Sequence, residues 1–464
     1  MKYFDSEKLH VLEENIKNIE RKSLSMSDWR ALYESKLCTP DEAVTYVKNH
    51  DRILVGGGPG RPRRLMKALI DNASRFRNVK IMHGLSHGGE DYCNEEYKEN
   101  FTHESLFLST GTRKAHSEGR AKLVPCYYYE LCDWFSTGLV PVNVFMFQVT
   151  PPDENGFCSC GLIADFIQEA TDAADVVIVQ VNKEMPWCSY KDCLVHVSRI
   201  DHIIEWDEPI PVTPKSVLTD VELKIGENCA TLVNDGDTIQ VGIGSLPDAV
   251  CVALRNKKDL GVHTELLTDG IMDLYKCGAV NNSKKSMDAG AMVTTFIMGT
   301  KELYDFVDHN PAVVVKNVKD VNHPLNIAKC ANMISINTCI EIDFMGQVVS
   351  GSAGERQISG AGGQVDYVRG AYMAEDGNGR SVIAITSVHE KRGKRTSRIK
   401  PFITQGSSVT VSREDVDYVV TEYGVARLKA KSLKDRARAL IEIAHPDFRE
   451  ELIAEYENRF KSKF

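Results

Sequence analysis

Apolar, strand-like runs alternate with helical segments along most of the chain. Short runs rich in valine and isoleucine, such as residues 142–149 and 176–181, are separated by amphipathic stretches and by glycine, proline and acidic residues. Runs of this length and composition are typical of strands, and the stretches between them have the periodicity of helices. The alternation predicts an α/β architecture.

One pattern occurs twice, in residues 43–69 and 230–254, and each copy predicts helix, turn, apolar strand, glycine-rich loop and helix. The matched positions are Val47 with Val233, Asp51 with Asp237, Val55 with Val241, Gly56 with Gly242, and Gly58 with Gly244. Downstream strands recur in the same order, at 79–82 and 262–267, at 142–149 and 334–343, and at 176–181 and 382–386. Two similar halves explain the repeat most simply, although unrelated α/β segments can share such a pattern.

The proline-rich stretch 208–214 lies between the two copies and is the predicted linker. We therefore predict an α/β domain over 27–214 and a second α/β domain over 215–464. Residues 1–26 are charged and polar, with a helical pattern at 7–21, and are predicted to be an N-terminal helical extension.

Composition and charge narrow the classes of function. With 464 residues, 42% hydrophobic and 26% charged, the chain is globular and too long for one ordinary core. The net charge of -9 argues against nucleic acid as a partner. No apolar run could span a membrane or form a secretory signal, and the 13 cysteines show no paired Cys-x-x-Cys spacing. We expect a cytoplasmic protein with reduced thiols; Cys158 and Cys160, one residue apart, are weak evidence for a metal.

The loop Gly242-Ile243-Gly244-Ser245-Leu246-Pro247 follows a predicted strand and precedes a helix predicted over 248–254. Glycines let the backbone approach a ligand closely, and a helix N-terminus offers free N–H groups to an anion or oxyanion. Pro247 replaces the third glycine of a dinucleotide-binding fingerprint, so that interpretation is weak. The loop could also be a structural turn.

Glu265 is the candidate nucleophile, in a predicted strand that begins at Val262. The carboxyl ends of strands are where α/β proteins collect ligands. A carboxylate can act as a covalent nucleophile when it is oriented and shielded from water. Most glutamates are solvated surface residues, so position alone does not decide.

A second glycine-rich element, Ser-Gly-Ala-Gly-Gly-Gln-Val-Asp-Tyr at 359–367, leads into a helix predicted over 365–373. Its backbone N–H groups could face a thioester oxygen or a pantetheine chain. The alternative is a tight loop packed under a sheet.

Basic residues and histidines offer weaker candidates. The cluster Lys-Arg-Gly-Lys-Arg-Thr-Ser-Arg-Ile-Lys at 391–400 could meet the phosphates of a nucleotide tail, or could be a solvated loop. Arg61, Arg63 and Arg64 follow the first glycine loop and leave the same choice open. Glycines around His83 and His87 break any helix there, so a metal site is not expected. His196 could line a pocket or be a satisfied core histidine.

Six separated blocks together resemble the acetyl-CoA hydrolase/transferase family, in particular its CoA-transferases that act on 4-hydroxybutyrate, butyrate and acetate. The blocks lie at 151–161, 196–201, 240–250, 261–275, 359–371 and 418–426. The resemblance runs from about Trp29 to Phe464. The N-terminal extension, Thr264 and Ser245 depart from the family pattern, which weakens inferences about the acyl chain.

The resemblance implies two NagB-like α/β halves with the active site at their interface and Glu265 as the catalytic glutamate. It assigns Gly242, Ile243, Gly244, Ser245 and Leu246 to a CoA-binding loop. It also assigns Gly362 and Gly363 to CoA binding, with the amides of Gly363 and Ile243 near the thioester oxygen.

The implied activity is a ping-pong transfer of CoA between a short-chain acyl-CoA and a short carboxylic acid, as in the fermentation of short-chain fatty acids. No cofactor or metal is expected, because CoA and acyl-CoA are the substrates. A homodimer or homotetramer is a family expectation. Two alternatives stay open: an acyl-CoA hydrolase using the same Glu265, and a nucleotide- or sugar-phosphate-binding regulator without a nucleophile. The preferred acid is not readable, since one methylene is worth only about 1–3 kcal/mol in an apolar pocket.

Overall fold

Two separate parallel sheets, one in each half of the chain, form the framework. The computed structural model describes residues 29–464, so the extension predicted over 1–26 lies outside the described residues. Residues 206–219, which include the predicted linker, connect the halves without a helix or strand. The domain boundary at 214/215 stays a prediction.

The first sheet has seven strands, all parallel, in the order β4-β3-β2-β1-β5-β7-β9. Its strands are β1 (Arg52–Val55), β2 (Val79–His83), β3 (Phe101–Ser105), β4 (Ala121–Leu123), β5 (Val144–Val149), β7 (Val176–Val181) and β9 (His202–Glu205). A short hairpin lies beside it, formed by β6 (Phe157–Ser159) and β8 (Leu194–His196). The central strands are buried on both faces, which explains their nearly continuous apolar sequences.

The second sheet has six strands in the order β11-β10-β16-β21-β25-β26, parallel except for its last strand. Its strands are β10 (Thr238–Val241), β11 (Gly261–Val262), β16 (Met333–Thr338), β21 (Arg380–Ala384), β25 (Tyr418–Thr421) and β26 (Gly424–Arg427). In each half the first strand lies between the strand that follows it and a later strand. The predicted repeat is therefore a structural repeat.

Short strands surround the second sheet. They are β12 (Leu266–Leu267), β13 (Met292–Thr294), β14 (Phe296–Ile297), β15 (Val313–Val315), β17 (Glu341–Asp343), β18 (Val348–Val349), β19 (Ser352–Ala353), β20 (Arg356–Gln357), β22 (Val388–Lys391), β23 (Lys394–Ser397) and β24 (Ile399–Lys400). The strand predicted over 262–267 is therefore wrong as a single strand, because β11 ends at Val262 and β12 begins at Leu266. The strand predicted over 334–343 is likewise two strands in different sheets.

Helices cover the faces of both sheets. They are α1 (Trp29–Lys36), α2 (Pro40–Ala43), α3 (Arg63–Asp71), α4 (Thr110–Ser117), α5 (Leu131–Ser136), α6 (Ile167–Ala173), α7 (Asp220–Ala230), α8 (Ser245–Ala253), α9 (Asp269–Lys276), α10 (Lys301–Val307), α11 (Val318–Asn322), α12 (Pro324–Ile327), α13 (Gln364–Tyr372), α14 (Leu433–Glu442) and α15 (Pro446–Phe460). Single 3₁₀ turns occur at Val44–Tyr46, Gly58–Gly60, Ala73–Arg75, Asp91–Cys93, Glu95–Tyr97, Tyr128–Glu130, Lys191–Cys193 and Val197–Arg199. The helix predicted over 248–254 begins three residues earlier, so Ser245, Leu246 and Pro247 form its first turn.

The two halves meet along a segment of the first half that pairs with the second. The backbone N–H of Ala164 donates to the Thr295 carbonyl at 2.9 Å, and that of Ile297 donates to the Leu162 carbonyl at 2.8 Å. Apolar clusters also cover both faces of each sheet, and the cluster on one face of the second sheet continues across the junction to Leu162, Ala164 and Cys193 of the first half. Within residues 29–464, no helix is long and apolar enough to cross a membrane.

Candidate active site

Glu265 lies in the gap between β11 and β12, not within a strand as predicted. Its carbonyl oxygen accepts hydrogen bonds from the Thr295 and Phe296 N–H groups, each at 3.1 Å, and from Thr294 Oγ1 at 2.9 Å. Three donors on one carbonyl fix the main chain at the point where the strand is interrupted. The interruption presents the side chain at the junction of the two halves, and irregular strand geometry is frequent beside active sites.

Two donors contact the Glu265 carboxylate. Asn322 Nδ2 donates to Oε2 at 2.6 Å, and the backbone N–H of Gly363 also donates to the carboxylate. A Cβ at residue 363 would overlap both Glu265 Oε2 and Asn322 Nδ2, so only glycine permits this approach. The structure thus brings together two residues that the sequence predicted separately, Glu265 and Gly363.

Burial dominates the electrostatics of Glu265. Desolvation raises the pKa of the carboxyl to about 7, against the opposing effect of the hydrogen bonds from Asn322 and Gly363. Within the described part of the chain, no lysine, arginine or histidine forms an ion pair with it. The residue as a whole is nevertheless only partly buried. A carboxyl with a strongly raised pKa and no cationic partner, at the junction of the two halves, is a candidate for a functional group.

The position of Asn322 is fixed by hydrogen bonds to the carbonyl of the residue before it. Asn322 is the last residue of α11 and fully buried. The carbonyl of the preceding Val321 accepts from His263 Nε2 at 2.8 Å and from the Tyr367 hydroxyl at 3.2 Å. Burial lowers the pKa of His263 to about 4, so the imidazole is neutral and its Nε2–H serves this one carbonyl. His263 is therefore a positioning residue, because it orients the helix end that carries Asn322.

The first half contributes a second buried carboxyl. Asp165 is 4% exposed, and burial, with the charge of Glu265 as a smaller cause, raises its pKa to about 7. Its partners are the Tyr128 hydroxyl and, at 3.5 Å, Thr295 Oγ1. Its φ of 29° is unusual for a residue other than glycine, and such strain is often found at functional sites. The surroundings of Glu265 therefore include a buried carboxyl from the first half, Asp165, and hydrogen-bond donors from the second half.

Asp366 is a third carboxyl in the same cluster, in the first turn of α13. Asn322 Nδ2 lies 3.4 Å from its Oδ2, so the same amide group faces Glu265 and Asp366. Burial first, and the charge of Glu265 second, hold the pKa of Asp366 well above its usual range. The raised pKa of Asp366 favours its protonated form, and protonation of Asp366 would lessen the repulsion between the two carboxyl groups.

The predicted CoA-binding loop begins beside Thr264. The Thr264 hydroxyl donates to the carbonyl of Val241 at 3.4 Å, and Gly242 follows directly. Ile243 and Gly244 are exposed, Gly244 has a φ of 117°, and the backbone N–H groups of both meet no acceptor within residues 29–464. Ser245 begins α8 and its hydroxyl donates to Glu222, whereas Leu246 is packed into the core.

The second glycine element packs across the junction of the halves. Gly360 lies against the carbonyl of Leu106 and the ring of Phe107, and Gly362, with a φ of 55°, lies near Phe107 and Glu265. Arg113 of the first half donates to the Ile358 carbonyl at 2.6 Å. The element therefore lies between Glu265 and the first half. A loop packed only under a sheet, the alternative interpretation, would not make these contacts.

The weaker candidates lie elsewhere. His196 is satisfied by Ser198 Oγ at 2.9 Å and the Asn155 carbonyl at 3.2 Å, which favours the structural interpretation. Arg61 is buried and donates to Ser86 Oγ and the Gly89 carbonyl. Cys158 and Cys160 are buried free thiols. Among residues 29–464, no group of three or more metal-binding side chains is placed to hold an ion.

Sequence reasoning missed Asn322, Asp165 and Asp366. Asn322 stands in an ordinary Asp-Val-Asn-His-Pro segment that carries no chemical signature. Asp366 lies within the predicted glycine element at 359–367, three residues after Gly363, so its position could have suggested it. Asp165 follows one of the six blocks, but only its strained backbone and its burial distinguish it.

Comparison with known proteins identifies the family. The model of the acetyl-CoA hydrolase/transferase N-terminal domain matches residues 17–214, and that of the C-terminal domain matches residues 299–456. The chain is 47% identical to 4-hydroxybutyrate coenzyme A transferase of Clostridium kluyveri, over 93% of this chain and 100% of that protein. It is 36% identical to butyryl-CoA:acetate CoA-transferase of Anaerostipes caccae, over 92% and 96%. The crystal structure of 4-hydroxybutyrate CoA-transferase from Porphyromonas gingivalis superposes with a TM-score of 0.78 at 38% identity, covering 93% of this chain and 100% of that one. The fold, the paired halves and these matches together show that the chain belongs to the acetyl-CoA hydrolase/transferase family.

Proposed function

We propose that this protein is a CoA-transferase that moves CoA between a short-chain acyl-CoA and a short carboxylic acid through a covalent intermediate on Glu265. The observation that carries the proposal is the Glu265 carboxylate itself. It belongs to a partly buried residue, has no cationic partner in the described chain, and accepts hydrogen bonds from Asn322 and Gly363 where the two halves meet. The similarity to CoA-transferases supports the same activity.

The first half-reaction forms an anhydride and then a thioester. A Glu265 oxygen attacks the acyl carbonyl carbon, the carbon–sulfur bond breaks, and CoA leaves as a thiolate. The thiolate then attacks the glutamyl carbonyl carbon, the anhydride carbon–oxygen bond breaks, and the first acid leaves as a carboxylate. The product is a glutamyl-CoA thioester, and no proton, metal or ATP is consumed.

The second half-reaction is the reverse with another acid. The acceptor carboxylate attacks the glutamyl-CoA carbonyl, the thiolate leaves and then attacks the acyl carbonyl of the new anhydride. Glu265 is released as a carboxylate and the acceptor leaves as its CoA thioester. The free energy of the thioester bond is retained in each step.

The donors on Glu265 have a second role in this scheme. When the thiolate attacks the glutamyl carbon, negative charge develops on a glutamyl oxygen. Asn322 Nδ2 and the Gly363 N–H already contact that carboxyl group, so they are placed to stabilise the charge without rearrangement. The free N–H of Ile243 is our candidate donor to the oxygen of the substrate thioester.

The proposed CoA site rests on the resemblance to the family and on the free N–H groups of Ile243 and Gly244. We assign pantetheine contacts to Gly242, Ile243, Gly244, Ser245, Leu246, Gly362 and Gly363. The exposed loop residues Ile243 and Gly244 supply backbone donors, while buried Leu246 anchors the first turn of α8. Binding energy from these contacts, remote from the reacting carbon, helps to reach the strained anhydride.

A small apolar cluster beside Glu265 fits a short acyl chain. Ile163, Leu266, Phe296 and Met298 pack together, with Leu85 and Tyr128 against them. Leu266 directly follows the nucleophile, so an acyl group on Glu265 would lie near this cluster. We infer that short acids such as acetate, butyrate and 4-hydroxybutyrate are the acceptors.

The test is an acceptor matrix combined with mass analysis. With acyl-CoA alone, we expect the mass of the intact protein to increase by that of one CoA minus one water. Peptide mapping should then locate the added mass on the peptide that contains Glu265. Adding acetate or butyrate should release the label as a new CoA thioester. Glu302→Gln, which changes an exposed glutamate, is the matched control and should transfer normally.

The same data separate the alternatives. A hydrolase would consume acyl-CoA equally fast without an added acid, and a regulator would give no label at all. Either result would overturn the proposal. A homodimer or homotetramer and a cytoplasmic location remain predictions, the first of them open to light scattering.

A further inference from the structure

The strongest unexplained charge on the surface is a β-hairpin in the second half. β22 and β23 pair in antiparallel register, with Arg392 and Gly393 at the turn. Their φ angles of 53° and 76° form a tight two-residue turn that presents the strand ends outward. Residues 389–396 are all exposed, in a protein of net charge -9.

The two faces of this hairpin differ. On one face Arg395 binds Asp447 at 2.7 Å and His445 Nε2 at 2.7 Å, which attaches the hairpin to the start of α15. Directly opposite pairs share a face, so the other face carries Lys391 with Lys394 and His389 with Thr396. We call these four residues the cationic face.

The cationic face lacks a counter-charge. Lys391 and Lys394 stand directly opposite each other, an arrangement that destabilises a hairpin. Neither lysine, nor Arg392 at the turn, forms an ion pair with any carboxylate of residues 29–464. The inward face is held by the contacts of Arg395 with Asp447 and His445, so the hairpin is attached to the protein while the charges on its outward face have no ion-pair partner in the described chain. A bound anion would remove the repulsion between the lysines.

The hairpin lies at the same edge of the sheet as the candidate active site. Parallel strands end at one edge, and β10 leads there into Gly242, β16 into Cys339, and β21 into the hairpin. Gln364, next to Gly363, donates to the Thr338 carbonyl at 3.0 Å, which ties the glycine element to the end of β16. The hairpin begins one strand further along this edge, on the side away from Glu265.

Arg398 provides a link between the two places. It follows β23 directly, its backbone N–H donates to the Ser387 carbonyl at 2.9 Å, and it lies near Cys339. Its Nε is buried without a partner in the described chain, and it forms no ion pair there. A buried guanidinium that is influenced by the charge of Glu422, but whose Nε has no hydrogen-bond partner in the described chain, therefore lies between the hairpin and the end of β16.

We infer that the cationic face of the hairpin, together with Arg392, binds the phosphates of the nucleotide end of CoA. The inference rests on the proposed function, since it extends the same substrate from its sulfur to its other end. The pantetheine arm separates the sulfur from the phosphates, so the phosphate site must lie at a distance from Glu265, as the hairpin does. Lysine and arginine side chains are the usual partners of phosphate oxygens.

The test compares Lys391→Ala/Lys394→Ala with the unchanged enzyme on acyl-CoA and on acyl-pantetheine, which lacks the nucleotide. We expect the KM for acyl-CoA to rise about tenfold, with kcat retained, and the KM for acyl-pantetheine to stay the same. Because the turn residues are untouched, the hairpin geometry is preserved. Lys48→Ala/Arg75→Ala, two exposed cations before strands of the first half, is the control and should change neither KM.

Equilibrium binding of CoA, measured by calorimetry, separates this inference from the chemistry. If binding weakens in the double-lysine variant while no enzyme form transfers CoA, the phosphate site stands and the proposed reaction fails. If transfer occurs but the KM for acyl-CoA is unchanged in the variant, the phosphate site is overturned. An equal rise of both KM values would also overturn it, since it would indicate general damage.

Discussion

Asn322 Nδ2 lies 2.6 Å from Glu265 Oε2, which joins the end of a short helix to the gap between two strands. The same amide group lies 3.4 Å from Asp366. A carboxylate in an apolar environment would take up a proton, and the donor opposes this by stabilising the charged form. Asn322 thus favours the charged form of Glu265, which is the form that the proposed mechanism requires.

Replacing Asn322 should move the pH dependence of the reaction. Only the carboxylate form of Glu265 attacks, so kcat/KM of the unchanged enzyme should fall as the pH decreases through about 7. The Asn322 hydrogen bond lowers the pKa of Glu265, so Asn322→Ala should raise it and shift the acid limb to higher pH. The check is a pH profile of kcat/KM for both enzymes. If Asn322→Ala lowers the rate but leaves the acid limb of the pH profile in place, Asn322 does not lower the pKa of Glu265 and this prediction is contradicted.

Glu265 variants should separate the presence of the nucleophile from its reach. Glu265→Gln keeps the shape but loses the attacking oxygen, and transfer should fall by about 10⁴-fold or more. Glu265→Asp keeps the charge but withdraws it by one methylene, and we expect a loss of about 10²-fold. Single-turnover rates with acyl-CoA measure both. A Glu265→Asp variant that transfers at the unchanged rate would argue that alignment is unimportant.

Gly363→Ala should distort the site without unfolding the protein. The added methyl group would overlap Glu265 Oε2 and Asn322 Nδ2, so the carboxylate must move and lose alignment, at a cost of about 10²-fold in kcat. Gly84→Ala is the control, because its added Cβ meets no atom within 4 Å. Near-normal transfer by the Gly363 variant would mean that the glycine is not needed for this approach.

The sequence supported the architecture better than the local geometry of the site. The strand and loop repeat predicted two sheets, because apolar runs and glycine loops follow from local backbone preferences. The break at Glu265 was not predicted, since residues 262–267 have an unbroken strand pattern and the interruption comes from pairing with Thr294, Thr295 and Phe296.

The long-range partners of Glu265 could also not be predicted from the sequence. Asn322 is 57 residues away along the chain and is positioned by contacts of Val321 with His263 and Tyr367. Such a relationship depends on tertiary packing and leaves no spacing signal. Glu265 and Gly363 could be named because each lies in a block that resembles the family, not because their contact was visible.

Asp165 should make the folded protein less stable as the pH rises. Its pKa is about 7 in the folded protein, against about 3.9 in an unfolded chain, so between these values the folded state binds more protons. Stability therefore decreases as the pH increases through this window. Asp165→Asn removes the titration while retaining an oxygen for the Tyr128 hydroxyl. Between about pH 5 and about pH 8, the free energy of unfolding should fall less in this variant than in the unchanged protein. The difference between the two falls should be on the order of a few kcal/mol. Urea unfolding at the two pH values measures this, with exposed Asp305→Asn as the control. If both variants keep the full pH dependence, Asp165 is charged in the folded protein and the electrostatic description of the site is wrong.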